Sequence, residues 1–365
     1  MLTGGGTGGH AYPALSIAEA IRAEHPECEL LYIGSKDGPE ARLAAEAEIE
    51  FVGIRSRGLS RGISIGALVS VLSLAGGLGT ASSVLRRFNP EVVIGTGGHA
   101  AAAVVLAQVL RRGRALILEP DAIPGRTNLW LSRFVDRICV QIPDAIEYFP
   151  SEKTVVTGMP IRAGLADLPD KSEARIGLGL RPDAFTLLVL GGSQGARQLN
   201  LTVAGAVPML RDRDIQILHQ SGAKNIEEAE ASRREIGWDG YHVRAYIDDM
   251  RSAYASANLI VSRSGASTIA EITAVGRAAI YVPYPYAHAD HQRYNAEYVA
   301  KSGGGDVVAE SELSPEKLAG MVKGFLERPD ELNLMAKMAK SLGRPNAAAD
   351  IANLALEWGK CENQT

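Results

Sequence analysis

The pentapeptide Gly-Thr-Gly-Gly-His occurs twice in this 365-residue chain, at Gly6 to His10 and at Gly95 to His99. Each copy stands between a strand-like run and an alanine-rich helical stretch. A glycine turn in that position lets backbone N–H groups converge at a helix N-terminus, where the dipole adds positive potential, so phosphate is favoured without a lysine. Two copies in one half suggest a phosphorylated ligand gripped from two sides. The competing reading is a pair of tight strand-to-helix turns that merely need glycine.

The second half carries its own set. Gly191-Gly192-Ser193-Gln194-Gly195-Ala196-Arg197 follows the apolar run Thr186 to Leu190. Ser193 can offer its hydroxyl to a phosphate oxygen, whereas Arg197 reads equally as an exposed helix residue. Farther on, Ser262-Arg263-Ser264-Gly265-Ala266-Ser267-Thr268 opens a helix containing Glu271. Thr268 and Glu271 have the spacing of a capping box, in which Glu271 only satisfies the helix start. Alternatively the helix N-terminus holds a diphosphate while Glu271 accepts hydrogen bonds from ribose hydroxyls, and the spacing leaves both open. In the stretch from Ala287 to Asn295, Gln292 and Asn295 have the donors and acceptors that suit sugar hydroxyls. His288, Asp290 and His291 raise the question of a metal, but neither a zinc-type helix motif nor a paired-carboxylate loop is present, so none is expected.

Apolar residues make up 46% of the chain and charged residues 22%, with a net charge of −4, which describes a soluble globular protein without a nucleic-acid partner. Arginines cluster in the first half, at Arg55, Arg57, Arg61, Arg86, Arg87, Arg111, Arg112, Arg114 and Arg126. They give that half a positive face or are simply solvated. Cys28, Cys139 and Cys361 are odd in number and far apart, which fits a reducing compartment and gives no disulfide framework. No signal peptide is read at the start. Gly62 to Leu85 carries no formal charge and is long enough to span a bilayer, yet its glycines, serines and threonine dilute the apolar content. A surface helix is expected there, with Leu68, Val69, Val71, Leu72 and Leu74 dipping into an anionic leaflet beside Arg86 and Arg87; the alternative is an ordinary helix buried against a sheet.

These motifs must be positioned by regular elements. Short apolar runs alternate with helical stretches: Leu30 to Ile33, Val92 to Ile94, Ala115 to Leu118, Arg137 to Val140, Thr154 to Val156, Thr186 to Leu190, Ile215 to Leu218, Leu259 to Val261 and Ala279 to Val282. Alternation of this kind predicts parallel α/β sheets, and runs without a polar face predict sheets covered on both sides. The rhythm breaks between Gly158 and Pro182. That break divides the chain into two Rossmann-like domains, 1–161 and 162–344, with a last helix within 345–365 packing back on the first. Ligands of such sheets sit beyond the strands' carboxyl ends, so the expected site is a cleft between two facing halves.

Taken in order, Gly4-Gly-Gly-Thr-Gly-Gly-His10-x-x-Pro13, Gly158-Met-Pro-Ile-Arg162, Gly191-Gly-Ser193-Gln-Gly-Ala-Arg197-x-Leu-Asn200, Tyr246-Ile247-Asp-Asp-Met250, Arg263-Ser-Gly-Ala-Ser-Thr-Ile-Ala-Glu271 and Asp290-His-Gln292 resemble glycosyltransferase family 28, and within it the MurG family, over the whole chain. The resemblance implies a GT-B fold and an inverting transfer of N-acetylglucosamine from UDP-N-acetylglucosamine to lipid I, the undecaprenyl-pyrophosphoryl-N-acetylmuramoyl-pentapeptide, giving lipid II for peptidoglycan. It implies a first domain facing acceptor and membrane and a second binding the UDP-sugar, in a peripheral protein on the cytoplasmic face of the bacterial membrane. Thr7, Gly8 and Gly9 with Thr96, Gly97, Gly98 and His99 would face the acceptor pyrophosphate and the donor sugar. Arg162 and Ser193 would contact the UDP diphosphate, the Ile247 backbone the uracil, Ala266, Ser267 and Thr268 the phosphates, Glu271 the ribose and Gln292 the sugar hydroxyls. An imidazole suits the base that the acceptor hydroxyl needs, which makes His10 the candidate, hydrogen bonding to an acceptor or phosphate oxygen being its other role. No metal is obligatory on this view, and a divalent cation is at most stimulatory.

Two positions depart from the family pattern. Leu118-Glu119-Pro120-Asp121 stands where His-Glu-Gln-Asn is usual, so Asp121 replaces an amide expected near the donor sugar. His99 stands where tyrosine is usual. The competing enzyme readings are a UDP-N-acetylglucosamine 2-epimerase and a diacylglycerol glycosyltransferase.

Overall fold

The structure, a computed structural model, describes residues 1–5, 8–36, 38–54, 65–192 and 195–362, without the side chains of 8, 65–75 and 359–362. Thr7, Ser193, Arg55, Arg57 and Arg61 lie outside the described residues, as do the side chains of Leu68, Val69, Val71, Leu72, Leu74 and Cys361. Two compact units divide the chain: Met1–Ala163 with Arg344–Thr365, and Gly164–Gly343. Arg162, placed by sequence at the head of the second domain, therefore belongs to the first unit.

In the first unit, strands β1 Leu2–Thr3, β2 Leu31–Ser35, β3 Glu50–Ile54, β4 Val92–Gly95, β5 Arg114–Glu119, β6 Arg137–Val140 and β7 Thr154–Val156 alternate with helices α1 Gly8–Glu24, α2 Glu40–Glu46, α3 Ile65–Phe88, α4 Gly98–Leu110 and α5 Arg126–Leu131. The seven strands are parallel, in the order β3-β2-β1-β4-β5-β6-β7. Ile33, Val93, Ile117, Ile138 and Val140 of the sheet share one core with Val104 of α4 and with Ala81 and Leu85 of α3. Each such buried Val, Leu or Ile side chain contributes about 1.5–3 kcal/mol.

The second unit repeats the plan with β8 Phe185–Leu190, β9 Ile215–Gln220, β10 Tyr241–Arg244, β11 Leu259–Ser262, β12 Ala278–Tyr281 and β13 Asp306–Val307. Its order is β10-β9-β8-β11-β12-β13, again parallel. Helices α6 Lys171–Gly177, α7 Arg197–Leu210, α8 Ile226–Ile236, α9 Met250–Ser256, α10 Ala266–Val275, α11 His291–Lys301, α12 Pro315–Glu327 and α13 Pro329–Leu342 complete it. The last helix, α14 Ala347–Glu362, belongs to the first unit and packs on α1.

Both sheets reverse direction of growth at one point. In the first unit the reversal lies between β1 and β4, in the second between β8 and β11. Loops at a reversal diverge to opposite faces and leave a crevice at the carboxyl edge, which is where open α/β sheets take ligands. All four glycine-bearing loops of the sequence sit at these two points.

Candidate active site

β1 and β4 are paired with Thr3 opposite Gly95, so the two Gly-Thr-Gly-Gly-His copies belong to neighbouring strand ends. Gly5 and His10, on either side of the first turn, pack against residues 96 to 98 of the second copy. The Gly5 amide donates to the Gly97 carbonyl at 3.1 Å. Thr96, 1% exposed, gives its hydroxyl to the His10 carbonyl at 2.7 Å and the Thr3 carbonyl at 3.3 Å. Its amide donates to Thr3 as well, at 2.8 Å, so Thr96 fastens the first loop to the second. Gly97 and Gly98 have φ of +110° and +86°. A Cβ on Gly97 would come within 2.9 Å of His10 Cδ2, and one on Gly98 within 2.1 Å of the Gly5 carbonyl oxygen. Glycine in the second copy thus makes room for the first copy, which is the tight-turn reading for Gly97 and Gly98.

His10 stands in the first turn of α1, with Nδ1 3.1 Å from the Gly5 carbonyl oxygen. A carbonyl only accepts, so Nδ1 carries the proton and Nε2 is the nitrogen with a lone pair. His99 holds the equivalent place in α4. Burial, and then the nearby His10, push its pKa down. Gly8 and Gly9 open α1.

At the end of β5, the buried Glu119 accepts from the Asp121 amide at 3.1 Å, the Gly125 amide at 3.1 Å and Asn128 Nδ2 at 2.9 Å. Burial pushes its carboxyl up to about 8, the Asp121 charge adds to the rise, and the three donors oppose it. Asp121 is half-buried on the turn that Glu119 organises. The Arg162 guanidinium lies 4.6 Å from the Tyr12 ring centroid, a cation–π contact that fixes it against α1. Glu119 keeps the glutamate of the family's His-Glu-Gln-Asn segment, whereas Tyr12 carries no motif and only its contact reveals it.

In the second unit, α10 begins at Gly265, whose φ and ψ are −64° and 148° and which has no side chain to cap it. Ala266, Ser267 and Thr268 form its first turn. Thr268 is therefore inside the helix, and the capping-box reading fails. Glu271 instead accepts a hydrogen bond from the Tyr254 hydroxyl at 2.8 Å. Gln292 Oε1 accepts from the Tyr284 amide at 3.0 Å, and a Cβ on Gly265 would lie 4.0 Å from its Nε2. Ser264 Oγ donates to the Gln292 carbonyl at 2.7 Å, so the starts of α10 and α11 are tied together. The Ile247 amide donates to Gln220 Oε1 at 2.9 Å, so in this state the amide expected to meet a base is held by a side chain. Asn200, His219 and Tyr241 form a buried chain, with His219 Nε2 3.0 Å from Asn200 Oδ1 and Nδ1 2.8 Å from the Tyr241 hydroxyl. Burial pushes His219 down to about 3, making it a neutral strut. Arg197 is an exposed helix residue paired with Glu228.

Among the described residues no three His, Cys, Asp or Glu side chains gather as a metal-binding group. Asp290 is paired with Arg293 at 2.5 Å and His291 Nδ1 lies 2.8 Å from the His288 carbonyl oxygen.

Residues 1–140 match the family model described as the glycosyltransferase family 28 N-terminal domain, and residues 186–353 that of the glycosyltransferase family 28 C-terminal domain. The chain is 41% identical over 356 residues to the UDP-N-acetylglucosamine–N-acetylmuramyl-(pentapeptide) pyrophosphoryl-undecaprenol N-acetylglucosamine transferase of Nitratidesulfovibrio vulgaris, covering 97% of this chain and 95% of the relative. It is also 41% identical to the protein of that name in Desulfitobacterium hafniense, over 98% of both chains. Among solved structures it is similar to the crystal structure of Acinetobacter baumannii MurG, with 28% identity, a TM-score of 0.78 and 98% of each chain covered.

Proposed function

The chain belongs to glycosyltransferase family 28, and from that membership we propose that it transfers N-acetylglucosamine from UDP-N-acetylglucosamine to lipid I, giving lipid II. The observation that carries this reading is likeness over nearly the whole length to transferases named for that reaction. Their shared name favours it over the 2-epimerase and diacylglycerol readings.

The reaction is a displacement at the anomeric carbon with inversion from α to β. The first unit supplies the base: His10, with its Nδ1 proton held by Gly5, has Nε2 to take the proton of the attacking acceptor hydroxyl. The second unit supplies donor recognition through the Ile247 backbone, Glu271 on the ribose and Gln292 on the sugar. The departing diphosphate gains charge, which the N-terminus of α10 at Ala266 to Thr268 stabilises as a preorganised donor, with Ser193 and Arg162 assigned to it as further contacts. To the sugar nucleotide we also assign Asp121, Thr7, Gly8 and Gly9, and to the acceptor Thr96, Gly97, Gly98 and His99. No metal is required by this scheme; a divalent cation acts at most as a stimulant.

No helix among the described residues is long and apolar enough to cross a membrane. The acceptor is a membrane lipid, so α3 is the element we assign to an anionic bilayer surface, at the cytoplasmic face. The decisive assay combines radiolabelled UDP-N-acetylglucosamine with a short-chain lipid I analogue. A β-1,4-linked product is expected; no product, with diacylglycerol glycosylated instead, overturns the assignment.

A further inference from the structure

Tyr254 is 1% exposed, and its hydroxyl reaches from α9 to Glu271 Oε2 on α10 at 2.8 Å. The short helix that carries it is pinned at both ends. At its start the Asp249 carboxylate accepts from the Ser252 amide at 3.0 Å. At its end the carbonyls of Tyr254 and Ala255 accept from Arg277 Nε and Nη2 at 2.8 and 3.2 Å, and that of Ser256 accepts from Arg175 Nε at 3.1 Å. Guanidinium groups on the last carbonyls of a helix also complement its dipole. With both ends held, the phenol has a fixed origin and one direction.

A glutamate has three side-chain torsions, and a carboxylate that must meet a vicinal diol has to present a defined plane. One rigid donor on Oε2 supplies that definition before any ligand arrives, as second-layer partners do for metal-binding side chains. Ile247, in the loop that leads into α9, is anchored on Gln220 at 2.9 Å, so base and ribose contacts share one fixed support. We propose that Tyr254 is a positioning residue that aims Glu271 at the ribose hydroxyls and so makes this unit prefer a ribonucleotide to its deoxy counterpart. The proposal rests on Glu271 being the ribose ligand.

Binding of UDP and of 2′,3′-dideoxyuridine diphosphate to the full-length protein separates this from a phenol that merely satisfies its own hydrogen bond. Tyr254→Phe should weaken UDP about threefold to tenfold, the range of one hydrogen bond, leave the dideoxy ligand unchanged, and raise KM for the sugar nucleotide with kcat retained. Equal loss for both ligands, or loss for neither, overturns the proposal. Glu271→Gln should erase the same discrimination, and the double variant should lose no more than Glu271→Gln alone; additive losses count against coupling. If Glu271→Gln keeps full preference for UDP, the ribose assignment itself falls, and the role of Tyr254 with it.

Discussion

At His10 the tautomer and the packing make the same demand. The Gly5 carbonyl holds the Nδ1 proton, and Gly97 offers a bare Cα to the Cδ2–Nε2 edge of the ring. His10→Ala should lower kcat by about 10²–10⁴, the usual contribution of a general base, while UDP binding is retained. Gly97→Ala should act through the same group: a Cβ 2.9 Å from Cδ2 displaces the ring, and a displacement near 1 Å costs about 10²-fold in rate. Loss of UDP affinity in His10→Ala, or full activity in Gly97→Ala, would show that the imidazole is not the base. The glycines and His10 were legible because a repeated pentapeptide is conspicuous. What the letters hid is the asymmetry: Thr96, Gly97 and Gly98 serve the first copy as fastener and clearance. Tyr12 and Tyr254 were invisible because a single tyrosine has no period or spacing, and its meaning comes from contacts made across the fold; Glu119 stood in a named segment, but its burial and three donors did not show.

The turn after β5 shows how one buried carboxylate shapes an element. An unfolded glutamate ionises near 4.5, whereas the folded Glu119 is pushed up to about 8. Between those values the unfolded chain releases a proton that the folded chain keeps, so stability falls as pH rises through that window and levels off above it, by at most about 1.4 kcal/mol per pH unit. Glu119→Gln cannot ionise, and it should flatten the thermal-midpoint profile between about pH 5 and 8; a profile as steep as the parent's would assign the slope to other groups. The same contrast between buried and half-buried positions decides which strands could be read. Eight of the nine apolar runs named strands whose residues are largely covered on both faces; the ninth, Thr154 to Val156, is the edge strand β7 with Val155 exposed, and was legible from its β-branched residues. β3, β10 and β13 escaped, being edge strands in which Glu50, Gly53, His242, Arg244 and Asp306 interrupt the run. The capping-box spacing misled for a related reason, since the chain enters α10 at Gly265, three residues ahead of Thr268.

For the molecule as a whole, the remaining demand is to bring a chain with no membrane-crossing helix among its described residues to a lipid substrate. The uncharged segment forms α3, 24 residues long, and its second half shows two faces. Ala81 and Leu85 are buried in the core of the first unit, whereas Gly76, Gly79 and Ser83 are exposed. Leu68 and Leu72, in the uncharged first half of the segment, are the leucines expected from the sequence to meet the bilayer. Arg86 and Arg87, both exposed, end the helix, and arginines near an anionic surface contribute about 1 kcal/mol each. Leu68→Asp combined with Leu72→Asp should therefore weaken binding to anionic liposomes about tenfold or more, from the apolar burial of two leucines, with the thermal midpoint unchanged. Added salt should weaken the parent's binding further through the arginines. A large fall in thermal stability, with liposome binding retained by the remaining folded protein, would instead make α3 a core helix throughout and move the membrane contact elsewhere on the first unit.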